Sequence, residues 1–239
     1  MNATLANGPR AEIPGLLRGE AERIDTAIQR CTPGRALFYV AVIFGGAGLF
    51  GAAVGCWRAP LQAAYTAIKL PLILLLTTFG NALLNGMLAP LLGLNINFRQ
   101  SVLAMLMSFT IAGAILGSFS PLLFFLVWNV PPLADHTASA GGAYSFILLA
   151  QVLMIAFAGA AANLRLIQLL RRLSGSASVA RKILFGWLAG NLLLGAQLCW
   201  NLRPFVGSPG LPVQFLRADA FQGNFFEAVF NAARHLLFQ

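Results

Sequence analysis

Long apolar runs separate the charged residues of this chain. No charged side chain occurs from Ala36 to Trp57, from Leu70 to Phe98, from Gln100 to Ala134, from His136 to Leu164, or from Ile183 to Leu202. A helix crosses the hydrocarbon core of a bilayer with roughly 20 mostly apolar residues, and each interval has that length. A soluble domain buries one or two helices that are apolar all round, but five in succession would leave too little polar surface to dissolve the fold. The pattern therefore predicts an all-α, polytopic integral membrane bundle of five transmembrane helices. Closed β-barrels need short segments of alternating polarity, unlike the run from Leu70 to Leu76.

The spans are expected at about Leu37–Trp57, Leu70–Leu92, Ser101–Trp128, Tyr144–Leu164 and Ile183–Trp200. They divide the chain into a cytoplasmic N-terminal lead (1–35), a transmembrane domain (36–202) and an extracytoplasmic C-terminal segment (203–239). In the lead, Gly19 to Gln29 reads as a short helix with Ile24 and Ile28 on one face. Glu12, Glu20, Glu22 and Asp25 among its arginines argue against a secretory signal. Pro60 to Lys69 reads as an amphipathic connector, with Trp57 and Tyr65 as interfacial anchors. Ser118, Ser120 and Pro121 suggest a kink or break in the third span, and Asn129–Gly142, with Asp135 and His136, a solvated loop. A basic helical stalk should continue the fourth span. After the fifth, Asn201–Gly210 is too rich in proline and glycine for regular helix, and Phe205 and Phe215 offer the loop apolar anchors. An amphipathic helix is expected over Phe221–Phe238.

Small residues mark faces where helices can approach closely: Ala47, Gly51 and Gly55 in the first span, Gly113 and Gly117 in the third, Gly186 and Gly190 in the fifth. Thr77, Asn81 and Asn85 repeat every four residues in the second span and so share one face, with Thr78 beside it. Their polar groups need partners in hydrocarbon, which leaves two readings open: hydrogen bonding between helices, or the lining of a polar path. Gln197 of the fifth span is grouped with them.

Composition agrees with the membrane assignment, with 58% hydrophobic and 10% charged residues. The net charge of +9 would suggest nucleic acid in a soluble chain. Here the basic residues cluster at span ends, where they set orientation and meet anionic lipid, so no nucleic acid is implied. With five spans, 11 of the 16 Lys and Arg fall on the N-terminal side of the membrane and 5 on the other. That bias puts the amino terminus inside and the carboxyl terminus outside. The Ala- and Arg-rich, Lys-poor composition looks bacterial and points to the cytoplasmic (inner) membrane.

Enzyme constellations are absent from the sequence: it has no GxSxG, HExxH, phosphate-cradling loop or CxxC. None of the 7 carboxylates falls in an expected span, which weakens the case for a proton-coupled carrier. Cys31, Cys56 and Cys199 are too dispersed for a metal motif. Cys56 and Cys199 should share a depth near the outer side, with two buried thiols expected over a disulfide. No catalytic residue, metal site or cofactor is expected.

A five-helix hydrophobic domain with a cytoplasmic amino terminus, Lys69-Leu70-Pro71 leading the second span and a Gly-rich third span, resembles the Yip-type family of membrane proteins over about Thr32–Leu202. The likeness is architectural. It implies a five-span membrane domain in a family associated with membrane trafficking in eukaryotes and mostly of unknown role in bacteria. The eukaryotic signature between the first helices has no clear counterpart at Arg58–Leu70, and the resemblance transfers no functional residue.

The expected function is that of a non-catalytic membrane subunit or scaffold, with membrane lipids and membrane proteins or further copies of itself as partners. Arg203, Pro204 and Phe205 are the candidate partner surface, with Arg203 capping the fifth span or pairing with Asp219 or Glu227. The alternative is an oligomeric small-solute or ion channel built on Thr77, Asn81, Asn85 and Gln197.

Overall fold

Every element of regular structure among the described residues is a helix. The computed structural model describes residues 9–20, 32–94, 96–130, 138–207 and 212–227. The helices are α1 (Pro9–Arg18), α2 (Pro33–Cys56), α3 (Pro60–Leu91), α4 (Phe98–Trp128), α5 (Ala138–Ser174) and α6 (Ala177–Asn201). The last five are long and apolar enough to cross a membrane, with mean hydropathy from 1.5 to 2.1 in their most apolar stretches. The protein is a multi-pass membrane helical bundle.

Local chemistry sets the helix starts. Pro33 and Pro60 open α2 and α3, where a missing N–H costs nothing. At α4 the Gln100 amide donates to Asn97 Oδ1 at 2.9 Å and the Asn97 amide to Gln100 Oε1 at 3.1 Å, a reciprocal cap. Gly175, at φ +62°, provides the left-handed step that turns α5 into α6.

Three expectations change. The Pro60–Lys69 connector is not separate: it forms the first turns of α3, a continuous helix of 32 residues. At ~1.5 Å per residue α3 exceeds the ~30 Å hydrocarbon core, so part of it projects beyond. α4 likewise runs unbroken through Pro121. α5 starts at Ala138, inside the expected loop, and carries the fourth span and the basic stalk as one helix of 37 residues. In the lead, α1 lies earlier than the expected helix, most of which falls outside the described residues. So do Cys31, Asp135, His136 and residues 228–238 of the expected Phe221–Phe238 helix, whose described part is non-helical from 221 to 224 and turns helical only at Phe225. α1 packs on α4, Leu16 is fully buried, and Arg165 of α5 donates through Nε (3.1 Å) and Nη2 (2.8 Å) to the Leu17 carbonyl.

The bundle is built around α4, whose most apolar stretch is 61% buried, against 22% for α5 and 17% for α6. The large exposed apolar side chains of the two outer helices, among them Leu153 and Phe157 of α5 and Phe185 and Leu192 of α6, point away from the bundle. Glycines bring the inner helices to backbone contact. A methyl group on Gly51 would collide with the Thr66 carbonyl, and one on Gly55 would lie 2.6 Å from the Gln62 carbonyl. Gly46 meets the Gly113 carbonyl, and a Cβ on Gly117 would lie 2.8 Å from Gly46 Cα. Pro71 deprives the Ala67 carbonyl of its helical donor, and α2 approaches that carbonyl at Gly48. Of the α6 pair only Gly190 is a contact; the space around Gly186 is open. Cys56 and Cys199 are free thiols, but not the buried pair expected: Cys56 is half-buried and Cys199 exposed.

Candidate functional site

One face of α3 carries a buried polar stripe far longer than the four-residue repeat of its middle turns. Gln62, Thr66, Lys69, Thr77, Asn81 and Asn85 are all buried, at spacings of three, four or eight residues that keep them on one side of the helix. Near the start of α3, Gln62 Nε2 donates to the carbonyls of Pro204 (3.0 Å) and Phe205 (2.8 Å). The Thr66 hydroxyl lies 2.8 Å from the Phe205 carbonyl and 2.9 Å from that of Gln62, so its single hydrogen is shared between them. Lys69 Nζ donates to the Pro204 carbonyl at 2.9 Å and lies 5.8 Å and 5.1 Å from the ring centroids of Phe205 and Phe215. Carbonyl dipole and aromatic faces thus surround a fully buried ammonium.

This clamp holds the chain after α6 as a folded cap. Arg203 fills both roles open to it in the sequence. Its Nη1 donates to the Trp200 carbonyl at 3.0 Å, closing the end of α6, and its Nη2 pairs with Asp219 Oδ2 at 3.0 Å. The guanidinium also stacks 3.7 Å from the Trp200 ring centroid. Trp200 Nε1 donates to the Gln222 carbonyl (3.2 Å), Tyr65 meets Phe215 edge-on (5.3 Å), and Asn224 Oδ1 accepts from the Glu227 amide (2.8 Å), starting a helical turn.

Arg203, Pro204 and Phe205 are therefore drawn together, but inward. Pro204 is buried, the other two are half-buried, and the polar groups described above are taken up by the protein itself. The outward apolar side chains of the cap are Leu216, Phe221, Phe225 and Phe226. Gln197 also parts from its expected group. Its Nε2 donates to Asn201 Oδ1 at 3.1 Å and its Oε1 accepts from the Phe225 amide at 3.3 Å, so it serves the cap.

Thr77, Asn81 and Asn85 stay together at the junction of α3 with α4 and α6. Asn81 Nδ2 faces the Trp187 carbonyl at 3.0 Å, Asn191 Oδ1 and Met105 Sδ. Its Oδ1 lies against Gly190, where any side chain would collide with it. Thr77 Oγ1, Asn81 Oδ1, both polar atoms of Asn85 and Trp187 Nε1 are buried without a protein hydrogen bond. The unpaired atoms of α3 fall on three consecutive turns, carry no charge and mix donors with acceptors. No group of three His, Cys, Asp or Glu able to hold a metal occurs among the described residues. The sequence pattern exposed this lower half of the stripe. It missed the upper half, whose only signal was the helical spacing of Gln62, Thr66 and Lys69.

Comparison with known family models, curated proteins and solved structures yields no match to this chain. The class that fold and site define is thus a multi-pass membrane bundle with a buried polar seam and a clamped cap.

Proposed function

We propose that the protein is a non-catalytic subunit or scaffold of a membrane assembly, and that its cap is the surface it offers to a membrane protein partner or a second copy. The cap carries this reading: three buried polar side chains of α3 fix it to the bundle, and that rigid mount displays Leu216, Phe221, Phe225 and Phe226 outward. Aromatic side chains on a preorganised mount are the usual anchors of an interface. The proposal includes a bacterial inner-membrane location with the amino terminus inside and the cap outside. Its likeness to the Yip-type family extends to architecture alone.

Two experiments test it. Reporter fusions after Arg172 and after Glu227 should report opposite sides of the membrane; the same side for both rejects the topology. The protein purified in native lipid should carry a stoichiometric partner or form a defined oligomer by native mass measurement. Phe221→Ser with Phe226→Ser should reduce that association at least tenfold, while Phe157→Ser on the lipid face should not. A monomer without a partner, or equal effects of both variants, overturns the reading. The second reading, a small-solute pathway in an oligomer, is favoured by the orphaned polar atoms of Thr77, Asn81 and Asn85. It requires solute flux in liposomes that Asn85→Leu abolishes.

A further inference from the structure

Among the described residues, the end of the bundle that carries the starts of α2, α4 and α6 is strongly cationic. Arg18, Arg35, Arg99, Arg165, Arg171, Arg172, Arg181 and Lys182 lie at or near it, against two carboxylates, Glu12 of α1 and Glu20, which is 3.9 Å from Arg18. At this end a shallow, open groove of about 580 Å³ lies between α6 and the chain just past α3, lined by Leu92, Ser178, Arg181, Lys182 and Phe185. Its lining is divided by chemistry. Arg181, Lys182 and the Ser178 hydroxyl form a polar rim, and Leu92 with Phe185, which is 76% exposed, forms an apolar wall.

Depth relates the two parts. α6 has 25 residues and a length of about 37 Å, so it crosses the ~30 Å core with about half a turn to a turn left at each end. Arg181 and Lys182, the fifth and sixth residues of α6, then stand at the boundary between headgroups and hydrocarbon. Phe185, about one turn further along, faces the acyl region. A ligand matching this order has an anionic group at the boundary and hydrocarbon attached directly below it. We infer that the groove is a binding site for one acidic glycerophospholipid of the phosphatidylglycerol or cardiolipin type. Its phosphate sits between Arg181 and Lys182, the Ser178 hydroxyl donates to it, and an acyl chain lies along Phe185 and Leu92. Basic pockets between membrane helices suit such headgroups. A soluble phosphate would satisfy the rim and leave the apolar wall unused.

The full-length protein in phosphatidylcholine nanodiscs, titrated with phosphatidylglycerol and read by native mass spectrometry, provides the test. Wild type should retain one phosphatidylglycerol per chain. Arg181→Gln with Lys182→Gln should weaken retention about tenfold or more, since each basic residue at the surface contributes severalfold to the binding of anionic lipid. Arg171→Gln with Arg172→Gln removes the same charge from α5 and should change retention less than threefold. Phe185→Ala should weaken lipid retention, and glycerol 3-phosphate should not compete. All these side chains are exposed, so the bundle should remain folded, as a monodisperse elution profile would verify. Equal losses from the two arginine-containing variants would reduce the effect to general surface charge and overturn the site. Effective competition by glycerol 3-phosphate would reassign it to soluble phosphate.

Discussion

Gly51→Val should separate α2 from α3 and abolish the monodisperse, thermally cooperative protein. The would-be Cβ meets the backbone of the neighbouring helix, the carbonyl of Thr66 and, at 3.2 Å, the Cα of Ala67. No flexible side chain can move aside. Overpacking a well-filled interior costs about 1–3 kcal/mol, and more where the backbone must shift. Helices in a bilayer gain little from hydrophobic exclusion between them, so lost close packing is poorly compensated. The effect should extend to the cap, because Thr66 also holds the Phe205 carbonyl. Gly45→Val is the matched control: Gly45 is on the same helix, and nothing lies within 4 Å of its would-be Cβ. Melting followed by tryptophan fluorescence in detergent should show a fall of many degrees for Gly51→Val and little change for Gly45→Val. Equal melting of the two would mean that the stripe does not hold the helices together.

The membrane helices were legible because the apolar runs are long and charge marks their limits, a signal that needs no knowledge of tertiary structure. The stripe of Ala47, Gly51 and Gly55 was legible for a similar reason, since four-residue spacing alone places small residues on one side of a helix. Legibility failed where a residue's partner is distant in sequence. Gln62, Thr66 and Lys69 lie just before the charge-free run, so they resembled a polar connector ending in an orienting charge. Their partners, the carbonyls of Pro204 and Phe205, are 135 to 143 residues away and are main-chain groups that no side-chain pattern reveals. Gln197 was grouped by polarity with Thr77, Asn81 and Asn85, whereas its hydrogen bonds are fixed by the returning chain at Phe225 and by Asn201, one turn away. α1 was hidden by Pro14 and Gly15, which lower helix propensity, while the burial of Leu16 and the grip of Arg165 are tertiary effects.

Gln62→Leu combined with Lys69→Met should release the cap while the helical bundle stays assembled. The two side chains supply the donors to the Pro204 carbonyl, and Gln62 shares the Phe205 carbonyl with Thr66. The double variant leaves the Pro204 carbonyl unsatisfied in a buried place, at about 1–3 kcal/mol, beyond the bonds lost. Lys69→Met alone should have a smaller effect for two reasons. Gln62 still reaches Pro204, and removing a buried charge relieves a desolvation cost that offsets the lost hydrogen bond and ring contacts. Trypsin cleavage at Arg217, within the cap, reports its opening, because cleavage follows the open population when opening and closing are fast. A loss of about 2 kcal/mol corresponds to roughly 30-fold faster cleavage in the double variant, and the Phe225 amide should lose hydrogen-exchange protection in parallel. Amides within α4 should exchange as in wild type. If cleavage at Arg217 is unchanged in the double variant but rises in Arg203→Ala, the Arg203 contacts with Trp200 and Asp219 hold the cap and the buried polar clamp is incidental to it.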